Sequence, residues 1–221
     1  MLSLKKKIGV FIPTYNRPDL IRSSILQFTA QTILPDVIAV HQNGNSESYE
    51  SIINDISWSF KIKWIHTENK IRQHEWYRIP LQYLIENKCD LFFWVDHDDM
   101  YSSNHIENAI EELREYDFRI SETADFIAIN KNKFKICGPR QFKMHAPKGM
   151  SSSMAFNRKF AIELEKDLLE DRKHMYSDGV VAKKVMPKFK CFSSKNITTK
   201  YICRPGSETS KQWVEGILKN S

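Results

Sequence analysis

Residues 94–101 read Trp-Val-Asp-His-Asp-Asp-Met-Tyr, and an apolar run, Leu91–Val95, ends here in three carboxylates within four positions. Residues two apart on an extended chain point the same way, so Asp96 and Asp98 are expected to share one target while His97 and Asp99 face elsewhere. Carboxylates held close together repel unless a cation or a proton lies between them. A hard divalent ion, Mn²⁺ or Mg²⁺, suits one or two such carboxylates supplemented by substrate phosphates. The competing reading makes the aspartates caps of the next helix, a task open also to Ser102 or Ser103. His97 raises zinc or two-metal hydrolysis, but no companion histidine pair stands near it in the chain.

The elements around this cluster alternate short apolar runs with helical patterns, which predicts α/β architecture with a mostly parallel sheet flanked by helices. Ile8–Ile12 reads as a strand closed by Pro13, and Pro18 suits the first turn of a helix capped by Asn16 or Arg17. Ile21, Ile25 and Phe28 share a face of that helix. Val37–Val40 reads as a strand followed by a polar loop over 41–48, and Ile62, Trp64 and His66 alternate as in a half-buried strand. Residues 76–85 form a helical pattern, Leu91–Val95 a central strand, 106–113 a helix and Phe126–Ile129 a strand. Beyond residue 130 come prolines and glycines, then helical stretches at 158–170 and 178–186.

A chain of 221 residues, 41 % of them hydrophobic, can bury a sizeable core as a single globule. No run reaches the roughly 18 apolar residues of a membrane-spanning helix, and Ile8–Ile12 is too short for a signal-peptide core, so the expected location is cytoplasmic. Cys89, Cys137, Cys191 and Cys203 lie far apart and read as reduced packing residues. The net charge of +6 divides unevenly: residues 1–130 carry 13 basic against 19 acidic residues, a net of −6, and residues 131–221 carry 20 against 8, a net of +12. Such asymmetry points the second part toward phosphates, an anionic acceptor or peripheral contact with an anionic membrane surface on the inner face. No nucleic-acid module accompanies the basic residues, and a merely solvated basic face explains them equally well.

Five segments, taken in order, resemble the family 2 glycosyltransferases, whose fold is the Rossmann-like GT-A. They are IGVFIPTYNRPDLIRSSI, WVDHDDMY, GMSSSMAFNRKF, YSDGVVAKKV and RPGSETS. The resemblance implies that Pro13, Thr14, Tyr15 and Arg17 belong to the loop that holds a nucleotide-sugar donor, with Tyr15 stacking on the base. It implies that Asp96 lies near the ribose and the metal, and that Asp98 is the main ligand of an Mn²⁺ or Mg²⁺ ion bridging the donor phosphates. Asp178 matches the base that deprotonates the acceptor hydroxyl, and Ser151, Ser152, Ser153 and Met154 match the acceptor-facing region. Residues 1–130 are accordingly expected to bind the donor, and residues 131–221 the acceptor.

Departures from the family pattern are specific. Gln42 stands where the family commonly places a base-reading aspartate; an amide both donates and accepts, so a UDP-sugar remains the expected donor. The N-x-G-x-x-x-A-R-N segment is reduced to NKIRQHEWYR, from which Arg72 is taken as donor-binding, with Arg78 as its rival. Ser177, not Glu, precedes Asp178, and Arg204 and Pro205 stand where a metal-binding histidine is common. By position alone Asp178 reads first as a helix cap; the family match makes it the base.

The expected reaction is inverting transfer of a sugar from a nucleotide diphosphate onto a hydroxyl of a glycan or a lipid-linked acceptor, by a metal-dependent single displacement. A non-catalytic module of the same fold, binding nucleotide sugar or glycan, is the alternative. Nucleotidyl transfer is disfavoured because PTYNRPDL has no glycine with which to cradle a triphosphate. Trp58, Trp64, Trp76 and Trp94 read as packing residues, Trp213 as a candidate for an acceptor groove, and His66, His74, His145 and His174 as structural or exposed.

Overall fold

A computed structural model of the chain describes residues 5–121, 123–130, 133–141, 151–170 and 177–203, with 123–124, 126–130, 133–141 and 203 described as backbone. The RPGSETS stretch, Arg204, Pro205, Trp213, His145, His174 and Cys137 lie outside what is described, or are described as backbone only.

The chain runs β1 (Ile8–Thr14), α1 (Pro18–Leu26), β2 (Val37–Asn43), β3 (Lys61–Thr67), α2 (Gln73–Glu86), β4 (Leu91–Trp94), β5 (Met100–Tyr101) and α3 (His105–Glu112). It continues through β6 (Phe118–Ser121), β7 (Thr123–Asn130), β8 (Lys133–Gln141), β9 (Ala155–Asn157), α4 (Arg158–Glu170), α5 (Ser177–Val180), β10 (Cys191–Ser194) and β11 (Thr199–Cys203). Between α5 and β10, residues 181–185 form a π-helical turn.

Seven strands make one sheet in the order β10–β6–β9–β4–β1–β2–β3, and β5–β11–β7–β8 make a second. In the large sheet β4, β1, β2 and β3 pair in parallel, so their carboxyl ends share one edge. β9 runs antiparallel between β4 and β6, and its arrival from beyond residue 150 knits the second part of the chain into the first. This is the mixed, mostly parallel GT-A sheet expected.

Alternation along β1 divides the core. Phe11 faces Trp94, Phe156, Phe160, Leu81 and Leu84 on the side of α2 and α4. Val10 and Ile12 face Ile21, Ile25, Phe28 and Ile106 on the side of α1 and α3. Gly9 allows α2 its close approach: a Cβ there would meet Cys89 Sγ at 2.9 Å and the Leu84 methyls at 3.0 Å.

Several boundaries differ from the sequence reading. β2 continues to Asn43, taking in three residues expected in a loop, because Gln42 and Asn43 pair in register with His66 and Thr67 of β3 and find internal hydrogen-bond partners. Phe118–Ser121 is a strand of the large sheet that the pattern did not reveal, and the predicted Phe126–Ile129 strand belongs to the second sheet. α2 begins at Gln73 and runs through Pro80. The residue before α3 is Asn104, whose amide oxygen receives the Ser102 hydroxyl at 2.8 Å; neither Ser102 nor Ser103 occupies the cap.

Candidate active site

The carboxylates expected after β4 lie at the edge where β1, β2 and β4 end. β4 stops at Trp94 and the chain turns, with the Asp99 N–H reaching back to the Asp96 carbonyl at 3.4 Å. Asp96 and Asp98 are therefore presented by a turn, not by strand alternation. His97 and Asp99 do point elsewhere: His97 Nδ1 lies 3.2 Å from the Pro13 carbonyl, and Asp99 Oδ1 accepts the Ile202 N–H of β11 at 3.0 Å.

Asp96 is held from several directions. Its N–H donates to the Tyr101 hydroxyl at 3.0 Å, and its Oδ1 accepts the Trp94 indole N–H at 3.3 Å. The Ser151 hydroxyl hydrogen-bonds it as well. Burial, and then the charge of Asp98, push its carboxyl up to about 7; the Asp178 charge adds to the rise. The effect of Asp178 is the informative one, because that residue lies far along the chain, in the first turn of α5. Asp178 is partly exposed, with Oδ1 accepting the Gly179 N–H at 2.8 Å. Asp99, sealed beneath the turn, is held well above the usual carboxylate range by burial and by the charges of Asp98 and Asp96.

The donor-side candidates separate into two groups. Pro13 and Thr14 close β1; Thr14 is buried, and its hydroxyl lies 3.4 Å from that of Tyr49. Tyr15 is 37 % exposed, its ring edge-on to Trp76 at 6.1 Å with the Lys70 ammonium 4.5 Å from its centre. Arg17 is partly exposed at the cap of α1, and Arg72 is exposed at the cap of α2. Gln42 is different. It is fully buried; its oxygen accepts the Tyr49 N–H at 3.0 Å and the Trp64 indole N–H at 3.3 Å, while its nitrogen donates to the Glu47 carbonyl at 2.8 Å. Gln42 thus shapes the 45–49 loop from within instead of facing a ligand, a correction to its expected base-reading role. That loop lines a cleft of about 360 Å³. Arg78 ties α2 to α4 through Glu165 at 2.8 Å and also pairs with Glu75, so it is a packing residue.

The acceptor-side candidates are corrected too. Ser152, Ser153 and Met154 are all buried, because they lead into β9 inside the sheet. Ser153 accepts the Ser121 N–H through its hydroxyl and Arg119 Nη1 through its carbonyl, and the Met154 carbonyl accepts the Trp94 N–H. Of this group Ser151 hydrogen-bonds Asp96, and Ser152 reaches Asp99 and Tyr101 beneath the turn.

Two residues that the sequence reading left as packing or unassigned belong here. Trp94 orients Asp96, a relationship its position two residues upstream could have suggested. Tyr77 on α2 has its ring 4.3 Å from that of Trp94 and feels the charges of Asp96, Asp178 and Asp98. No local pattern marks Tyr77, since only the docking of α2 brings it here.

Among the described residues no three His, Cys, Asp or Glu side chains converge as a ready-made metal cage. A buried carboxyl whose own ionisation is opposed by a neighbouring carboxylate is a fitting cation ligand, since a cation removes the penalty.

Among the described residues no helix is long and apolar enough to cross a membrane. The family model for Glycosyl transferase family 2 matches residues 9–133. An uncharacterized glycosyltransferase of Rickettsia felis is 32 % identical over 111 residues, covering 50 % of this chain and 18 % of that protein. One from Rickettsia typhi is 32 % identical over 111 residues, covering 50 % of this chain and 33 % of that protein. The chain thus spans well under half the length of these relatives. Among solved structures, S. aureus TarS 1-349 in complex with UDP-GlcNAc superposes with a TM-score of 0.67 at 16 % identity, covering 92 % of this chain and 60 % of that one. HddC from Yersinia pseudotuberculosis gives 0.52 at 15 % identity, covering 85 % and 91 %.

Proposed function

The chain belongs to glycosyl transferase family 2, and from that premise we propose that it is an inverting glycosyltransferase. It takes a sugar from a nucleotide diphosphate, a UDP-sugar first among them, to a hydroxyl of a glycan or lipid-linked acceptor. The observation that carries the reading is the meeting of Asp178 with Asp96 and Asp98 in one electrostatic site at the carboxyl edge of the sheet. Ligands of open α/β sheets bind at that edge.

In this reading residues 1–130 hold the donor, with Tyr15 against the base and Arg17 and Arg72 near the phosphates, and residues 131–221 hold the acceptor. Asp96 and Asp98 would hold Mn²⁺ or Mg²⁺, which when bound neutralises charge on the departing diphosphate. Trp94 and Tyr101 hold Asp96 in place, the first through its carboxylate and the second through its backbone N–H. Asp178 accepts the proton of the attacking hydroxyl, which must approach from the side opposite the leaving group. The basic balance of residues 131–221 suits a phosphate-bearing acceptor or peripheral contact with an anionic membrane surface.

The deciding experiment is a thermal-shift screen of UDP, GDP, dTDP and their sugars, with and without Mn²⁺. The reading requires a shift with one nucleotide family that grows when Mn²⁺ is present. No shift with any of them, in protein shown to be folded, would overturn it.

A further inference from the structure

Three of the five residues between β4 and β5 are aspartates, so the way that stretch is held decides where Asp96 and Asp98 stand. Its amino end continues the large sheet, with the Val95 N–H donating to the Phe11 carbonyl at 3.2 Å. Its carboxyl end enters β5, which β11 pairs along one edge, Tyr101 against Thr199 and Met100 against Lys200. Among the described residues no strand covers the far edge of β5. Gln27, the residue after α1, covers it instead. Its Nε2 donates to the Asp99 carbonyl at 3.3 Å, and its Oε1 accepts the Tyr101 N–H at 2.8 Å. One side-chain amide thus supplies the donor and the acceptor that a neighbouring strand would bring.

The grip extends to both carboxylates. Asp99 is the chain neighbour of Asp98; Gln27 holds its backbone while the Ile202 N–H holds its side chain at 3.0 Å. Tyr101 carries the hold to Asp96, whose N–H donates to its hydroxyl at 3.0 Å, and Phe28, next to Gln27, packs its ring 5.9 Å from that of Tyr101. Gln31, four residues on, makes a parallel pair of bonds, from Nε2 to the Ser102 carbonyl at 2.8 Å and from the Ile106 N–H to Oε1 at 3.2 Å. Those partners lie beyond the acidic turn. Two carboxylates repel one another, so a backbone fixed from outside must keep them together before an ion arrives. On the reading above, in which Asp96 and Asp98 hold Mn²⁺ or Mg²⁺, we propose that Gln27 is a positioning residue of the metal site.

The test compares wild type with Gln27→Met and Gln31→Met, since methionine keeps the length of the side chain and removes both hydrogen bonds. Gln27→Asn, a methylene too short to span both backbone groups, is a second variant expected to shift the same way as Gln27→Met. Melting curves verify that each protein folds. Electron paramagnetic resonance, which reads unbound Mn²⁺, follows titrations of each protein with and without UDP, GDP or dTDP, against nucleotide-only blanks. Groups that orient metal ligands typically govern about 10–100-fold in affinity, so Gln27→Met is expected to bind Mn²⁺ roughly 10-fold more weakly. Gln31→Met loses as many hydrogen bonds, so it should lose stability too, but keep the wild-type Mn²⁺ affinity. Wild-type affinity in both Gln27 variants, or equal weakening in Gln27→Met and Gln31→Met, overturns the positioning role alone. Wild type that binds no Mn²⁺ under any of these conditions overturns the proposed metal site, and this inference with it.

Discussion

His41 Nδ1 lies 2.8 Å from the carbonyl of Trp76, the carbonyl that Pro80 deprives of its helical partner. Four residues along an α-helix an N–H should answer that oxygen, and proline has none. A carbonyl can only accept, so His41 is the Nδ1–H tautomer, and its Nε2 faces the Thr67 hydroxyl at 3.3 Å. Burial keeps the ring neutral by lowering its proton affinity. A buried polar residue of β2 thereby repairs a broken bond in α2 and fixes the helix that carries Trp76 and Tyr77.

Removing the repair should cost stability in a way that Pro80 controls. His41→Ala is expected to destabilise by about 2–3 kcal/mol, from the orphaned carbonyl and the cavity together. In a Pro80→Ala background, where a helical N–H can return to Trp76, the same change should cost about 1 kcal/mol less. Denaturant unfolding of the four proteins measures the coupling; strictly additive losses would show that the two residues do not share the carbonyl.

Gln42→Leu should behave as a structural change. It strands the Trp64 indole N–H, the Tyr49 N–H and the Glu47 carbonyl. With loop groups recovering water, the expected cost is about 2–3 kcal/mol, or a fall of roughly 4–12 °C in melting temperature for a domain of this size. The ranking of UDP, GDP and dTDP in binding should not change. An unaltered melting temperature with an altered ranking would return Gln42 to base recognition.

Asp96 ties metal binding to pH. In the folded protein its carboxyl lies at about 7, against an ordinary value of 3.8. Between those values the folded state keeps a proton that the unfolded state has lost. Linkage then makes this group a source of falling stability as pH rises from about 4 to about 7, with no further change above. The same proton competes with a cation. Mn²⁺ should therefore raise the melting temperature more at pH 8 than at pH 5.5, and Asp96→Asn should remove most of that difference. Equal Mn²⁺ shifts at both pH values in wild type would break the link.

Asp178→Asn should separate chemistry from binding. With the proton acceptor gone, transfer is expected to fall at least about 100-fold while Mn²⁺-dependent nucleotide binding persists. The measurement is nucleoside diphosphate release in the presence of acceptor, beside a direct binding titration. Turnover at the wild-type rate would remove Asp178 from the mechanism.

The sequence by itself determined the parallel sheet, its apolar central strand and the acidic end of that strand. These are local facts: hydrophobic periodicity follows from burial on one or both faces, and carboxylates after Trp94 lie at a strand end wherever the sheet sits. Only the tertiary structure decided that Gln42, Ser152, Ser153 and Met154 are interior, because exposure depends on what packs above a residue, and β3 and β9 supply that cover. It alone brought Tyr77 and Asp178 to Asp96, since the Tyr77 ring of α2 lies against Trp94 and α2 packs against α5, contacts that no spacing along the chain encodes.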